Sequence, residues 1–422
     1  MENEKKLTRP HIRELRLRRF RGFENARLVL NDFTVIVGRN GAGKSTLMEA
    51  IDFVQDAVTH SVLTALERRG GINSILHRPS SSGDIPESVE TVEGTKRSVG
   101  KDLEIAIDLQ IPLTPTTHTN VLYGFTLSPY RGRSGFQVKR EYLRTYPKES
   151  FSFYREGRTF NSEIRSAKPS VHRESLVLPL VAGEEDVWQM TLDVLRRMLV
   201  YDLSPQIMQS EPRIGSQESL ARDGSNLGDV LRRLDDDKEE MDWIIAHMNA
   251  VTRDICRIRA GASAGRRVVR FTQTMGGKDT EFVATDMSSG TLHSLGVLVA
   301  LRQKPAPSLV FIDEIEASIH TAALSSLMNA AKATSTDHCQ VVVSSHSTDA
   351  LSHETVNADN VRIVDWQSDR SYVFGIGEGT RELLEPPETV GRLLRSNSLW
   401  KEDQPSEVIG DLFQVGTDDG KD

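Results

Sequence analysis

Apolar and polar residues along the chain separate into stretches of sheet and stretches of helix. Two strand-like runs, His11 to Phe20 and Ala26 to Leu30, lead to a third, Phe33 to Val37. After a glycine-rich turn, Leu47, Ala50, Ile51, Val54 and Val58 recur at helical spacing, which predicts a helix packed on a sheet. From Gly70 to Val99 the chain becomes polar, with Pro79, Ser80 to Ser82 and Pro86, and predicts an irregular, mobile connection. Residues Lys101 to Tyr154 alternate in short runs, through Leu103, Ile105, Ile107 and Leu109, Tyr123 to Leu127, and Phe136 to Tyr142. Alternation of this kind predicts an antiparallel meander.

Between Glu184 and Arg259 the spacing turns helical, first with Val187, Met190, Leu192, Val194 and Leu195, then with Leu227 to Leu234 and Met241 to Val251. Sheet returns in Leu309 to Ile312, Val341 to Ser345, Val361 to Val364 and Ser371 to Phe374, with helix between the first two. Strands that are apolar throughout are buried on both faces, as in a parallel α/β sheet. The expected organisation is an α/β main lobe built from 1–99 and 263–400, with a β-meander subdomain at 100–165, an inserted helical lobe at 166–262 and an acidic tail at 401–422. The sequence has no internal repeat, heptad run or C-x-x-C hook.

The 422 residues exceed the usual size of one compact domain, and 38% hydrophobic with 27% charged residues is ordinary for a soluble protein. No apolar stretch is long enough to span a bilayer, and Met1 to Arg9 lacks a signal-peptide core, so the expected location is the cytoplasm and no membrane partner is expected. Cys256 and Cys339 stand in no metal-ligand spacing. A net charge of -8 gives no general attraction to nucleic acid, so DNA contact requires a local basic patch. The candidate patch is Arg253, Arg257, Arg259, Arg266, Arg267 and Arg270, set against the alternative of a solvated arginine face. The acidic run Asp235 to Glu240, broken by Lys238, reads as a solvated helix end rather than a metal site.

The strongest chemical signal is Gly38-Arg39-Asn40-Gly41-Ala42-Gly43-Lys44-Ser45, which fits G-x-x-x-x-G-K-[ST] between a strand and a helix. In such a loop the glycines let backbone N–H groups wrap the phosphates of ATP at a helix N-terminus. Lys44 is expected to reach the β- and γ-phosphates and Ser45 to place its hydroxyl on Mg²⁺; Thr46 follows with a hydrogen-bonding role. The apolar strand Leu309 to Ile312 ends in Asp313, within expected reach of the metal shell, and Glu314, placed to orient the attacking water. The strand Val341 to Ser345 delivers His346 to the same carboxyl edge, where ligands bind in α/β folds. A serine and a glycine, Ser288 and Gly290, precede the apolar helix containing Leu292, Leu295 and Leu298, with Ser288 as its N-cap.

Taken in order, these four elements resemble the ABC-type P-loop ATPase head of the SMC, RecF and OLD-type family, over both end lobes. Leu17 to Phe23 resembles the start of that branch, and the segment Asp223-Gly224-Ser225-Asn226 resembles one in compact bacterial AAA-labelled ATPases associated with anti-phage defence. The resemblance implies a homodimer, with higher assembly left open, in which Ser288 and Gly290 of one head cap the γ-phosphate held by the other. It implies ATP and Mg²⁺ as cofactors, and Lys44, Glu314 and His346 as catalytic residues. It further implies action on DNA or control of a separate nuclease or toxin effector, in phage defence or genome maintenance. A RecF-like repair mediator and a low-turnover scaffold that sequesters a toxic partner are the competing readings. The chain after His346 is expected to be too short for the Toprim nuclease of OLD-type proteins, and Asp418 and Asp419 to be solvated. Ser289, His293, Ile315 and Thr321 depart from the family pattern, at positions that bear on signature geometry and turnover. Gln110 is the candidate for the family's glutamine loop.

Overall fold

The computed structural model describes residues 9–78 and 102–414, with gaps at 115, 131–133, 165, 168, 211, 213, 216, 385–387 and 397. It also gives the backbone of one antiparallel pair, Ser88–Glu90 with Lys96–Ser98. The rest of the connection from 79 to 99, expected to be mobile, lies outside the described residues, as do Asp418 and Asp419.

The chain opens with β1 (His11–Phe20), β2 (Phe23–Val29), β3 (Phe33–Val37) and α1 (Lys44–Thr59). The meander follows as β4 (Leu103–Thr114), β5 (Thr117–Pro129), β6 (Phe136–Tyr146), β7 (Phe153–Glu156) and β8 (Thr159–Ser162). Next come α2 (Asp186–Arg196), β9 (Met198–Tyr201), α3 (Leu227–Leu234) and α4 (Lys238–Met248). The last part holds β10 (Ile255–Ser263), β11 (Arg266–Met275), β12 (Lys278–Val283) and α5 (Ser289–Arg302). It continues with β13 (Leu309–Ile312), α6 (Thr321–Asp337), β14 (Gln340–Ser345), β15 (Val361–Gln367) and β16 (Arg370–Phe374).

The central sheet has the order β9-β13-β14-β3-β15-β16, parallel except for β16. Its inner strands β13, β14 and β3 are buried at every position because both faces are covered. On β13, Leu309 and Phe311 pack toward α1 while Val310 and Ile312 pack toward α5 and α6; on β14, Val342 and the pair Val341 and Val343 divide in the same way. A buried side chain such as Phe311 contributes about 2 kcal/mol. On one face, α1 is held between this sheet and the seven-stranded antiparallel sheet β8-β7-β6-β5-β4-β1-β2, with Phe53 lying 6.2 Å from Phe20 and 6.3 Å from Phe125 between ring centroids. On the other face, α3, α4, α5 and α6 pack with the small sheet β10-β11-β12.

The structure departs from the sequence expectations in two places. The stretch 166–262, read as a helical lobe, contributes β9 to the edge of the central sheet, and β10 begins before it ends. The segment from Ser406 to Gln414, within the expected acidic tail, packs onto the outer sheet: Leu412 and Phe413 are buried against Ala106 and Leu122, and Arg16 donates to the Leu412 and Gln414 carbonyls at 3.3 and 3.0 Å. The acidic run lies at helix ends, as read from the sequence: Asp235 closes α3, and Asp237 caps α4 by accepting from the Glu240 N–H at 3.3 Å. No cluster of three or more potential metal-binding His, Cys, Asp or Glu residues occurs among the described residues. No described helix is long and apolar enough to cross a membrane.

Candidate active site

The parallel strands bring the chemical motifs to one edge. β3 ends at Val37 and the loop turns at once into α1, with Gly41 at φ +79° and Gly43 at φ +117°. Two glycines are sterically required: a Cβ at Gly38 would stand 2.2 Å from the Val364 carbonyl oxygen, and one at Gly43 would stand 2.6 Å from Ser371 Oγ. No side chain caps α1, so the N–H groups of its first turn are left for an anion. Lys44, almost fully buried, donates from Nζ to the Gly38 carbonyl at 2.8 Å and the Arg39 carbonyl at 3.2 Å, folding the loop around its own ammonium. Arg39, Asn40, Gly41 and Ser45 are exposed, Ala42 is buried, and Thr46 donates its N–H to the Gly43 carbonyl at 3.1 Å.

Ser45 Oγ donates to Asp313 Oδ2 at 2.9 Å, joining the loop to the end of β13. The other carboxylate oxygen, Oδ1, accepts from Ser344 Oγ, which in turn accepts from the Glu314 N–H at 2.9 Å. Glu314 adopts φ +47°, a left-handed conformation that is costly away from glycine and recurs at functional sites. Its side chain is half exposed, as is that of His346, whose Nδ1 lies 3.8 Å from Glu314 Oε1 and 3.2 Å from Glu316 Oε1. Loop, Asp313, Glu314 and His346 therefore share one edge.

The signature segment is held elsewhere. Ser288 caps α5, its Oγ accepting from the Thr291 N–H at 3.1 Å, and a Cβ at Gly290 would stand 2.5 Å from the Ser318 carbonyl oxygen. Among the described residues no hydrogen bond joins Ser288 or Gly290 to the loop of the same chain.

The unusual positions acquire physical reasons. Ile315, where the resembled family often has proline, donates its N–H to the Ser344 carbonyl at 3.2 Å, a bond proline would forgo. Thr321 opens α6 and donates its hydroxyl to Asp349 at 3.0 Å. His293 lies buried in α5 with neither ring nitrogen in a hydrogen bond of normal geometry; burial lowers its pKa to about 4, and the Ile315 backbone opposes that only in part. It is neutral at physiological pH. Ser289, half-buried, opens α5, and nothing in the structure explains its departure from the pattern.

Two functional candidates escaped the sequence reading: Ser344, which bridges Asp313 and Glu314, and Glu316, which faces His346. Gln110 does not belong to the edge. It pairs with His11 on β1, whose neighbour Ile12 bonds to Gln340 at the start of β14, so it lies at the opposite end of the central sheet from His346. The Asp223 to Asn226 segment is a packing turn in which Asn226 accepts from the Ala221 N–H, and Gly224, at φ +78°, meets Met208, which also touches Gly296 of α5. In the candidate basic patch, Arg267 is committed to Asp229 at 2.8 Å and Arg270 to Glu281 at 2.5 Å, while Arg253, Arg257 and Arg259 are exposed.

Residues 33–352 match the family described as "AAA domain, putative AbiEii toxin, Type IV TA system". The structure is similar to an SMC head solved bound to the C-winged helix domain of ScpA, at 14% identity and a TM-score of 0.52, over 89% of this chain and 100% of that one. Two further likenesses are an Smc head with an extended coiled coil bound to the C-terminal domain of ScpA derived from Pyrococcus furiosus, and an SMC head from Thermotoga maritima. The first has 14% identity and a TM-score of 0.49, over 89% and 98% of the two chains; the second has 12% and 0.43, over 87% and 99%. No curated protein matches the chain.

Proposed function

The chain belongs to this AAA-domain family and has the fold of an ABC-type, SMC-like ATPase head, and from that premise we propose that it is a Mg²⁺-dependent ATPase whose ATP-driven pairing of two heads controls a partner effector. The observation that carries the proposal is the 2.9 Å contact between Ser45 and Asp313, which sets a loop hydroxyl and a strand-end carboxylate side by side at a helix N-terminus.

The residues present fit ATP and Mg²⁺. Gly38 and Gly43 leave room that a Cβ would fill, Lys44 already makes the contacts of a buried cation with backbone oxygens, and Ser45 with Asp313 forms a hard oxygen pair. The loop N–H groups and Lys44 would hold the phosphates, and Ser45 and Asp313 the metal. When bound, Mg²⁺ neutralises charge on the β- and γ-phosphate oxygens. Asp313 is steadied by Ser344, so its carboxylate keeps one orientation. Glu314, half exposed beside it, would orient the attacking water and accept its proton, and His346, 3.8 Å from Glu314, would contact the phosphates from the end of β14.

Ser288 is spent on capping its own helix and, among the described residues, neither it nor Gly290 bonds to the loop of the same chain, which supports completion of the site by the signature of a second copy. The exposed Ser45, Glu314 and His346 support a face open to that copy. The family description refers to a toxin–antitoxin system, which favours effector control over DNA repair. A DNA-binding mediator is the second reading, favoured by exposed Arg257 and Arg259 on one strand, Arg259 directly opposite Arg270. Single-turnover phosphate release decides the chemistry: Glu314→Gln is expected to slow release by about 100-fold or more with nucleotide affinity retained. Equal rates for the two proteins would leave a nucleotide-dependent scaffold instead.

A further inference from the structure

Glu316 has no part in the chemistry described above, yet its carboxylate is the most heavily used acceptor beside it. Oε1 takes the N–H of His346 at 2.8 Å and the N–H of Ser347 at 3.0 Å, and faces His346 Nδ1 at 3.2 Å. The side chain is only 10% exposed, and its second oxygen, Oε2, is buried with no hydrogen-bond partner. A buried carboxylate that leaves one oxygen unmatched is costly, and the two backbone N–H groups on Oε1 offset that cost only in part. The cost is accounted for if the other oxygen does something a structural filler does not.

We infer that Glu316 is a positioning residue for His346, fixing both its backbone and the orientation of its ring. With Nδ1 turned to the carboxylate, Nε2 is the ring nitrogen left to face a bound phosphate, the usual division of labour when a carboxylate orients a histidine. The same turn carries Glu314, which is held through Ser344, and Ser318, whose carbonyl closes on Gly290 of α5. Movement of this turn is therefore felt at once by the water-orienting glutamate, the histidine and the signature helix of the same chain.

The inference rests on the proposed ATPase reading, and a double-mutant cycle separates the two. Full-length wild type, Glu316→Gln, His346→Ala and the double variant are compared by steady-state ATP hydrolysis. Glu316→Gln keeps an oxygen that can accept the two N–H groups but loses the charge facing Nδ1. It is expected to lower kcat about 10-fold with KM within about two-fold of wild type, and to add nothing to the loss caused by His346→Ala. Glu316→Asp, which restores the charge, is expected to recover part of kcat. Additive losses, or a Glu316→Gln enzyme with wild-type kcat, would overturn the positioning role while leaving the ATPase reading intact. Unchanged kcat in His346→Ala would overturn the role assigned to His346, and the inference with it.

Discussion

The outer antiparallel sheet and the carboxyl edge of the central sheet are both rich in charged and polar groups, but they spend them differently. Glu141, on β6, is fully buried; its carboxylate accepts from the N–H groups of Val177 and Leu178 at 2.6 and 2.9 Å and from the Tyr123 hydroxyl at 3.1 Å. Burial raises its pKa, opposed by the two N–H donors and Arg155. Arg155 in turn donates to the carbonyls of Gly157, Ser175 and His172. Glu141 and Arg155 are thus both spent on their own chain. At the edge, Glu314 and His346 are half exposed, the backbone at Glu314 is left-handed, and α1 begins without a cap. What distinguishes a site from a scaffold here is unspent bonding capacity on a constrained backbone, rather than the number of charges or the size of a pKa shift.

Substitutions can break this comparison from either side. The largest effect is expected for Lys44→Ala, which removes the ammonium the loop is folded around; ATP affinity by titration calorimetry should fall about 100-fold or more, with nucleotide-free melting close to wild type. In the outer sheet the pattern reverses: Glu141→Ala leaves two buried N–H groups and a tyrosine hydroxyl unmatched, and denaturant unfolding should show a loss of about 3 kcal/mol with ATP affinity unchanged.

His293 sharpens the comparison, because it is buried like Glu141 yet unspent. Its folded-state pKa, about 4, lies below the ordinary 6.5, so the folded state disfavours protonation. Its contribution is present in full above pH 6.5 and is lost as pH falls from 6.5 toward 4, amounting to about 2 kcal/mol at pH 5. His293→Leu should therefore flatten the pH dependence of melting across that window, and an unchanged profile would contradict the burial argument. The smallest effect is expected for Ser288→Ala, which removes the α5 cap at a cost of about 1 kcal/mol in unfolding.

Strands β3, β13 and β14 were legible in the sequence because burial on both faces gives them continuous rather than alternating apolar runs, and the motifs at their ends are carried to one edge with them. β9 was hidden between helices because Met198 to Tyr201 is too short to show a period. Leu412 and Phe413 were hidden because two apolar residues in an acidic context give no pattern; only the exposed face of the outer sheet gives them a partner. Gln110 was misplaced for a related reason, since alternation along a strand does not say which end lies near the loop. Ser344 and Glu316 are common residue types whose importance comes from neighbours distant in sequence, the turn after β13 meeting the end of β14. The phosphate loop was different, because its glycines answer to local steric demands that a pattern can carry.

The most direct test is the mass of Glu314→Gln by light scattering with and without Mg²⁺ and ATP. A single-copy mass is expected without nucleotide and twice that mass with it, reverting when Ser288 is also replaced by arginine. A single-copy mass with ATP demonstrably bound would contradict a site completed by a second head.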